Sequence, residues 1–279
     1  TATGRGGHRG EGRLMTSWRL GVIGSPIAHS VSPQLHLAGL KYLGYEGTSQ
    51  RLEVDEAHAY RIREVMGVQF DALSLTMPLK AVAASMCDEL DERATALGVV
   101  NSLLWRGGRL LGASTDGAGF IDSLHGELAA SVADMHVVVL GSGGAARAIV
   151  DSLVREGASS VTVLGRNPMS VGQPVDAHPR VVDHSLIYRP IDLIVNTTPS
   201  ASRDEQSAVM QGVSHDTIAI DVTYEPRESA WLALHAQLGC VHRNGLSMLA
   251  YTVARQMNWW WNSDIPGSYL LPALTEALK

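Results

Sequence analysis

Two hydrophobic periods alternate along the chain. The nearly continuous apolar run at 18–24 (WRLGVIG) predicts a strand, and apolar residues three and four apart over 32–43 predict a helix. A strand at 47–53 and a helix within 55–66 repeat the order. The run FDALSLT at 70–76 predicts a third strand, which leads into a Pro-initiated helix. Strands alternating with helices predict parallel sheets in an α/β protein. The segment WRGGRLLG at 105–112 breaks the alternation, because Gly-Gly between short apolar runs predicts a hairpin turn.

A second series begins at 135–140 (MHVVVL), an apolar run expected of a strand buried on both faces. It passes directly into GSGGAARA and a helical stretch. Strands at 160–164, 191–196 (IDLIVN) and 217–222 (TIAIDV) continue a βαβ series, the organisation of a doubly wound, Rossmann-type nucleotide-binding domain. A crossover helix is expected within 167–185, but that proline-bearing stretch has no helical pattern. Beyond Asn244, helices are predicted at 246–261 and 268–278.

The glycine turn is the first chemical signal. Gly141, Gly143 and Ala146 match G-x-G-x-x-G/A between a predicted strand and helix. The first glycine permits the tight turn, the second lets backbone approach a pyrophosphate, and the small Ala146 lets helix pack on strand. The helix N-terminus offers free N–H groups to the phosphates. The alternative is a glycine-rich turn with no ligand. At the next strand tip, where an NAD site carries an acid, this chain has Gly165 and Arg166. No carboxylate repels a 2′-phosphate there and a guanidinium is available, which favours NADP. A solvated surface arginine is the other reading.

Composition narrows the partners. The chain has 279 residues, 45% hydrophobic and 18% charged, with a formal net charge of −6. It is globular, and no basic run calls for nucleic acid or an anionic membrane surface. Cys87 and Cys240 lack CxxC spacing and read as buried thiols, and the histidines include no HExxH pair, so no metal site is expected. No apolar run has the length of a membrane span. Residues 1–17 read as a disordered leader or a cloning remnant, with Met15 a candidate native start. A cytoplasmic location, a small-molecule substrate and a monomer or homodimer are expected.

Three polar clusters interrupt apolar segments. In SPIAHSVSPQLH at 25–36, Ser30 and Ser32 precede Pro33; Ser32 fits a helix cap, and the two hydroxyls could equally bind a small carboxylate. In SLTMPLK at 74–80, Thr76 and Pro78 read as helix-start residues, which puts Lys80 in a first helical turn where the dipole disfavours a cation. In STDGAGF at 114–120, Thr115 or Asp116 would cap the next helix. Asn101, in GVVNSLL, is polar within an apolar run and needs a partner, which a ligand could supply.

In this order, GVIGSPIAHSVSP, TMPLK, GVVNSL, STDGAGF, VLGSGGAARA, DVTYEP and NGLSML resemble the motifs of the shikimate dehydrogenase family over nearly the whole chain after the leader. The resemblance implies a substrate domain of residues 18–115 and 245–279, a Rossmann-type NADP-binding domain of 116–244, and an active site in the cleft between them. It implies reversible reduction of 3-dehydroshikimate to shikimate by NADPH, a step of aromatic amino-acid (chorismate) biosynthesis. Lys80 and Asp116 would be catalytic. Ser30 and Ser32 would hold the substrate carboxylate, and Ser74, Thr76, Asn101, Tyr224 and Thr252 would line the pocket. Gly141, Ser142, Gly143, Gly144, Ala145, Arg166, Thr197, Val222, Gly245 and Met248 would hold the cofactor.

Three positions depart from the family pattern. Ser74 and Ser114 stand where the family usually has Asn, and Thr252 where it commonly has Gln. Each swap shortens a side chain and removes an amide, which keeps quinate or an amino-substituted shikimate open as substrate. A non-catalytic paralogue that senses a dinucleotide or a shikimate-like ligand is the reading from a different class, and retention of Lys80 and Asp116 argues against it. A folate-type NADP dehydrogenase fits the Ser30/Ser32 pair and STDGAGF poorly.

Overall fold

A computed structural model describes residues 17–165, 181–182, 190–198 and 209–278. The chain begins with β1 (Trp18–Gly24), α1 (Ser32–Leu43), β2 (Gly47–Glu53), α2 (Arg61–Val65), β3 (Ala72–Leu75), α3 (Lys80–Ala84), β4 (Glu89–Leu90), α4 (Glu92–Leu97), β5 (Ser102–Arg106) and β6 (Arg109–Ala113). There follow α5 (Asp116–Leu128), β7 (His136–Leu140), α6 (Gly144–Arg155), β8 (Ser160–Leu164), β9 (Val181–Val182), β10 (Leu193–Asn196) and β11 (Ile218–Asp221). The last described elements are α7 (Ala230–Gln237), β12 (Val241–Arg243), α8 (Leu246–Trp261) and α9 (Gly267–Ala277).

The described strands form two six-stranded sheets. The first, ordered β2-β1-β3-β5-β6-β4, is mixed. β1 runs parallel to β2 and β3, whereas β5 is antiparallel to both β3 and β6. The β5–β6 pair is joined by the Gly107-Gly108 turn, where φ of 61° and 79° supplies the doubly positive pair of a tight hairpin. The second sheet, ordered β12-β11-β10-β7-β8-β9, is parallel throughout. Numbered from β7, this is the Rossmann type of strand order, which reverses between β7 and β10. The fold is therefore α/β, with a Rossmann-type unit following an N-terminal unit.

Side-chain alternation along β7 shows why it is apolar from Val137 to Leu140. Val137 and Val139 pack with Ile149 and Leu153 of α6, and Val138 and Leu140 pack on the other face with Trp231 and Leu232 of α7. In the first sheet, Leu73 and Leu75 face Ile62 and Leu79, while Leu20 and Ala72 face Leu35, Val253, Met257 and Trp260. α8 thus covers the first sheet and also packs along α5. That crossing is close: a Cβ on Gly119 of α5 would lie 2.3 Å from Thr252 Oγ1 and 2.7 Å from the Thr252 nitrogen.

The expected helix within 55–66 is divided. Asp55 accepts from the His58 backbone and caps a 3-10 turn at Glu56–His58 before α2 begins. The short elements β4, α4, α7 and β12 have too few residues to register a period. The expectation of no helix within 167–185 falls almost wholly outside the described residues, apart from β9.

His36 of α1 is fully buried between Ser49 and Ser74, its Nδ1 2.8 Å from one hydroxyl and its Nε2 2.9 Å from the other. Burial pushes the imidazole down to about 3. The unfolded chain takes up a proton below the ordinary value of 6.5 that the folded chain refuses. Stability from this source is complete above that pH and is lost as pH falls towards 3, on the order of a few kcal/mol in all. His36→Gln should flatten the decline of urea-unfolding free energy as pH falls from 6.5 towards 3, relative to wild type. Equal slopes would contradict the assignment.

Candidate active site

The site lies where several strand ends converge. Ser30 and Ser32 follow β1, Thr76 follows β3, Asn101 precedes β5, and Lys80 and Asp116 open α3 and α5. With Tyr224 from beyond β11 and Met248, Thr252 and Gln256 of α8, they line a cavity of about 460 Å³ between the two sheets. That size and placement suit a small polar molecule beside part of a dinucleotide.

Lys80 and Asp116 meet across the cavity, with Nζ donating to Oδ2 at 2.5 Å. Their side chains are 15% and 9% exposed, so the pair is shielded from bulk water while one side faces the cavity. A lysine at the start of α3 opposes that helix's own dipole, whereas Asp116 in the first turn of α5 is favoured by its helix. The ion pair compensates Lys80. Asp116 is thus engaged as a partner rather than as a cap, and Thr115, at the N-cap position, makes no side-chain capping bond.

Asn101, 1% exposed, finds its partners within the protein. Its Oδ1 accepts from the Thr115 nitrogen at 2.7 Å, and its Nδ2 donates to Asp116 Oδ1 at 2.8 Å and to Thr115 Oγ1 at 3.0 Å. It lines the cavity and aims the carboxylate at Lys80.

Capping by Ser32 is corrected. Val31 holds the N-cap position, Ser32 is the first helical residue, and no side-chain cap bond is made at the start of α1. Ser30 Oγ donates instead to Ser32 Oγ at 3.2 Å, which leaves the two hydroxyls side by side in the cavity wall. Tyr224 closes the same corner. Burial pushes its phenol up, and hydrogen bonding with Ser30 and the Val31 backbone opposes that shift. Ser30, Ser32 and Tyr224 together form a small polar corner able to take a carboxylate.

Ser74 and Thr252 line the cavity, but their hydroxyls point into the protein. Ser74 Oγ is bonded to His36 and to Gln256, the latter at 2.5 Å. Thr252 Oγ1 is buried against Gly119 and has no hydrogen-bond partner among the described residues. Gln256 escaped the sequence reading. The available signal was a single amide on the apolar face of the predicted 246–261 helix.

On the cofactor side, β7 ends at Gly141, whose φ of 110° suits only glycine. A Cβ there would lie 2.3 Å from Thr197 Oγ1. Thr197 donates from both its nitrogen and its hydroxyl to the Leu140 carbonyl, which ties β10 to β7 at the reversal point of the sheet. Gly143 is the N-cap of α6, and nothing lies within 4 Å of where its Cβ would be. That open space in front of a helix N-terminus fits a pyrophosphate. Ala146 is fully buried against the sheet core, as its place in the motif predicts.

Ser142 and Gly144 complete the turn, and a Cβ on Gly144 would lie 3.4 Å from the Lys80 side chain. The turn therefore abuts the Lys80–Asp116 pair. Ala145, Thr197, Val222, Gly245 and Met248 line the cavity. Arg166 lies outside the described residues. Among the described residues, no cluster of three or more His, Cys, Asp or Glu could hold a metal ion, and no helix is long and apolar enough to cross a membrane.

Residues 22–103 match the family model described as the shikimate dehydrogenase substrate binding domain. A curated relative, the shikimate dehydrogenase (NADP(+)) of Staphylococcus aureus strain MRSA252, is 28% identical over 94% of this chain and 99% of its own. The crystal structure of shikimate 5-dehydrogenase from Thermus thermophilus, in complex with NADP(H) and shikimate, superimposes with a TM-score of 0.80. It is 30% identical and covers 93% of this chain and 99% of its own. A 5-ketofructose reductase of Gluconobacter sp. strain CHM43, 23% identical with a TM-score of 0.75 over 94% of this chain and 99% of its own, shares the fold alone. Sequence kinship extends along nearly the full length of both chains in the Thermus case, and the chain belongs to the shikimate dehydrogenase family.

Proposed function

We propose that this protein reversibly reduces 3-dehydroshikimate to shikimate with NADPH, in aromatic amino-acid biosynthesis. The Lys80–Asp116 pair, bonded at 2.5 Å against the nucleotide turn, carries this reading. NADPH, when bound, supplies the hydride. The chain's own residues do the rest. Ser30, Ser32 and Tyr224 seat the substrate carboxylate and fix the ring's orientation. Lys80 Nζ stabilises negative charge on the reacting oxygen and donates the proton that converts it to hydroxyl. Asp116 holds Lys80 Nζ in place and accepts a hydrogen bond from a substrate hydroxyl, and in the reverse direction the proton returns to Lys80 Nζ. Asn101 orients Asp116, and Thr76 lines the pocket beside them.

The cofactor residues are Gly141, Ser142, Gly143, Gly144, Ala145, Thr197, Val222, Gly245 and Met248, with Arg166 meeting the 2′-phosphate. Residues 18–115 and 245–279 act as the substrate domain and 116–244 as the nucleotide domain, with α8 carrying the chain back across the cleft.

Purified enzyme assayed with shikimate and quinate, each with NADP and NAD, tests the function. Turnover should be fastest with shikimate and NADP. Preference for quinate would show that the shortened side chains Ser74, Ser114 and Thr252 define a different substrate. Gly143→Ala tests the cofactor site. No protein atom stands near the new methyl and φ is −77°, so thermal stability should be unchanged. The KM for NADP should nevertheless rise on the order of 10-fold as the methyl meets the pyrophosphate. An unchanged KM would place the phosphates elsewhere.

A further inference from the structure

Gln256 lies on α8, 2% exposed, and both ends of its amide are in use. Oε1 accepts from Ser74 Oγ at 2.5 Å, and Nε2 donates to the Asn101 carbonyl at 2.8 Å. The Ser74 hydroxyl has one hydrogen, and Gln256 takes it. Ser74 Oγ must then accept from His36 Nε2 at 2.9 Å, which puts the imidazole proton on Nε2 and leaves Nδ1 to accept from Ser49 Oγ at 2.8 Å. Each donor in this series has a defined direction. From Asn101 the side chain continues to Asp116, and Asp116 to Lys80. A buried chain of hydrogen bonds therefore runs from edge strand β2, through α1, β3 and α8, to the proposed catalytic pair.

We propose that Gln256 is a positioning residue for hydride transfer: by bridging Ser74 of β3 to the Asn101 carbonyl, which also accepts from Leu75 N at 2.8 Å, it braces Asn101, and through Asn101 the orientation of Asp116 and Lys80. This inference rests on the function proposed above. Ser74 bears only a hydroxyl, which is taken up by His36 and Gln256, and Gln256 spans the gap to Asn101. Thr252, one turn earlier on α8, turns its hydroxyl to Gly119 and contributes no bond among the described residues. The amide that braces this side of the cleft is thus carried at 256, where the family-usual positions 74 and 252 hold hydroxyls.

A merely structural glutamine would affect stability and leave the chemistry alone, so the test reads the chemistry. Gln256→Met keeps length and burial but removes both bonds. It should lower kcat for shikimate with NADP on the order of 10-fold or more, with KM for NADP unchanged and a displaced pH profile of kcat. Gln256→Glu gives a second, independent readout. Protonated, it reproduces one acceptor and one donor; ionised, it cannot donate to the Asn101 carbonyl. Burial raises the pH at which a carboxyl ionises, so activity of this variant should fall reversibly as pH rises, beyond any decline in wild type. Ser74→Asn in a Gln256→Ala background, which returns an amide to the vacated space, should restore part of the lost kcat. If Gln256→Met fails to fold, Gln256→Glu carries the test alone. Wild-type kcat and pH profile in the folded variants would overturn the positioning role. A wild-type enzyme inert towards shikimate would instead overturn the proposed function, so the two failures are distinguishable.

Discussion

Lys80→Ala should lower kcat for shikimate on the order of 10²-fold or more while changing the substrate KM little. Among the described residues, Lys80 Nζ is the cation bonded to Asp116, and it stands against the nucleotide turn, where the proposed reaction puts negative charge on the substrate oxygen. Its loss removes both the charge partner and the proton donor from the transition state. The seat formed by Ser30, Ser32 and Tyr224 survives, so the ground state still binds. Lys80→Arg should not restore the rate, because a planar guanidinium cannot place one point charge at the Nζ position and gives up its proton reluctantly. Steady-state and single-turnover kinetics check both variants. A raised KM with kcat preserved would make Lys80 a binding group.

Gly117→Ala should destabilise the protein by about 1–3 kcal/mol, the usual cost of overpacking, with a melting temperature several degrees lower. The new Cβ would lie 2.0 Å from the Ala148 carbonyl oxygen and 2.3 Å from Ser152 Oγ. The first contact is with helix backbone, which no rotamer change can relieve, so α5 must separate from α6. Asp116 immediately precedes Gly117, and activity at temperatures well below the melt should fall as well. Thermal melts and assays of the same sample measure both effects. Wild-type stability would mean that the α5–α6 crossing is looser than the structure shows.

Legibility followed element length and burial. The helices at 32–43 and 246–261 and the strands at 18–24, 47–53 and 160–164 fall where the pattern put them, because each is long enough to show a period or an unbroken apolar run. β4, with two residues, carries no period at all. Within the site, Gly141 was legible from the glycine spacing between strand and helix, and Lys80 because a cation in a first helical turn contradicts the helix dipole. The caps assigned to Ser32 and to Thr115 or Asp116 are not made, for different reasons. Ser32 is already the first helical residue and its hydroxyl accepts from Ser30 two residues before it, whereas the Thr115 hydroxyl is taken by Asn101, a partner only the fold supplies. Gln256 was invisible for that second cause: its partners lie 182 and 155 residues away.

A crystal structure of the enzyme with shikimate and NADP+ bound tests the central claim most directly. The account predicts the substrate carboxylate at the Ser30 and Ser32 hydroxyls and Tyr224, a ring oxygen within hydrogen-bonding reach of Lys80 Nζ, and the pyrophosphate against Gly143 at the start of α6. Shikimate bound with its ring oxygens away from Lys80 and Asp116, or a dinucleotide that avoids the Gly141–Gly144 turn, would contradict it.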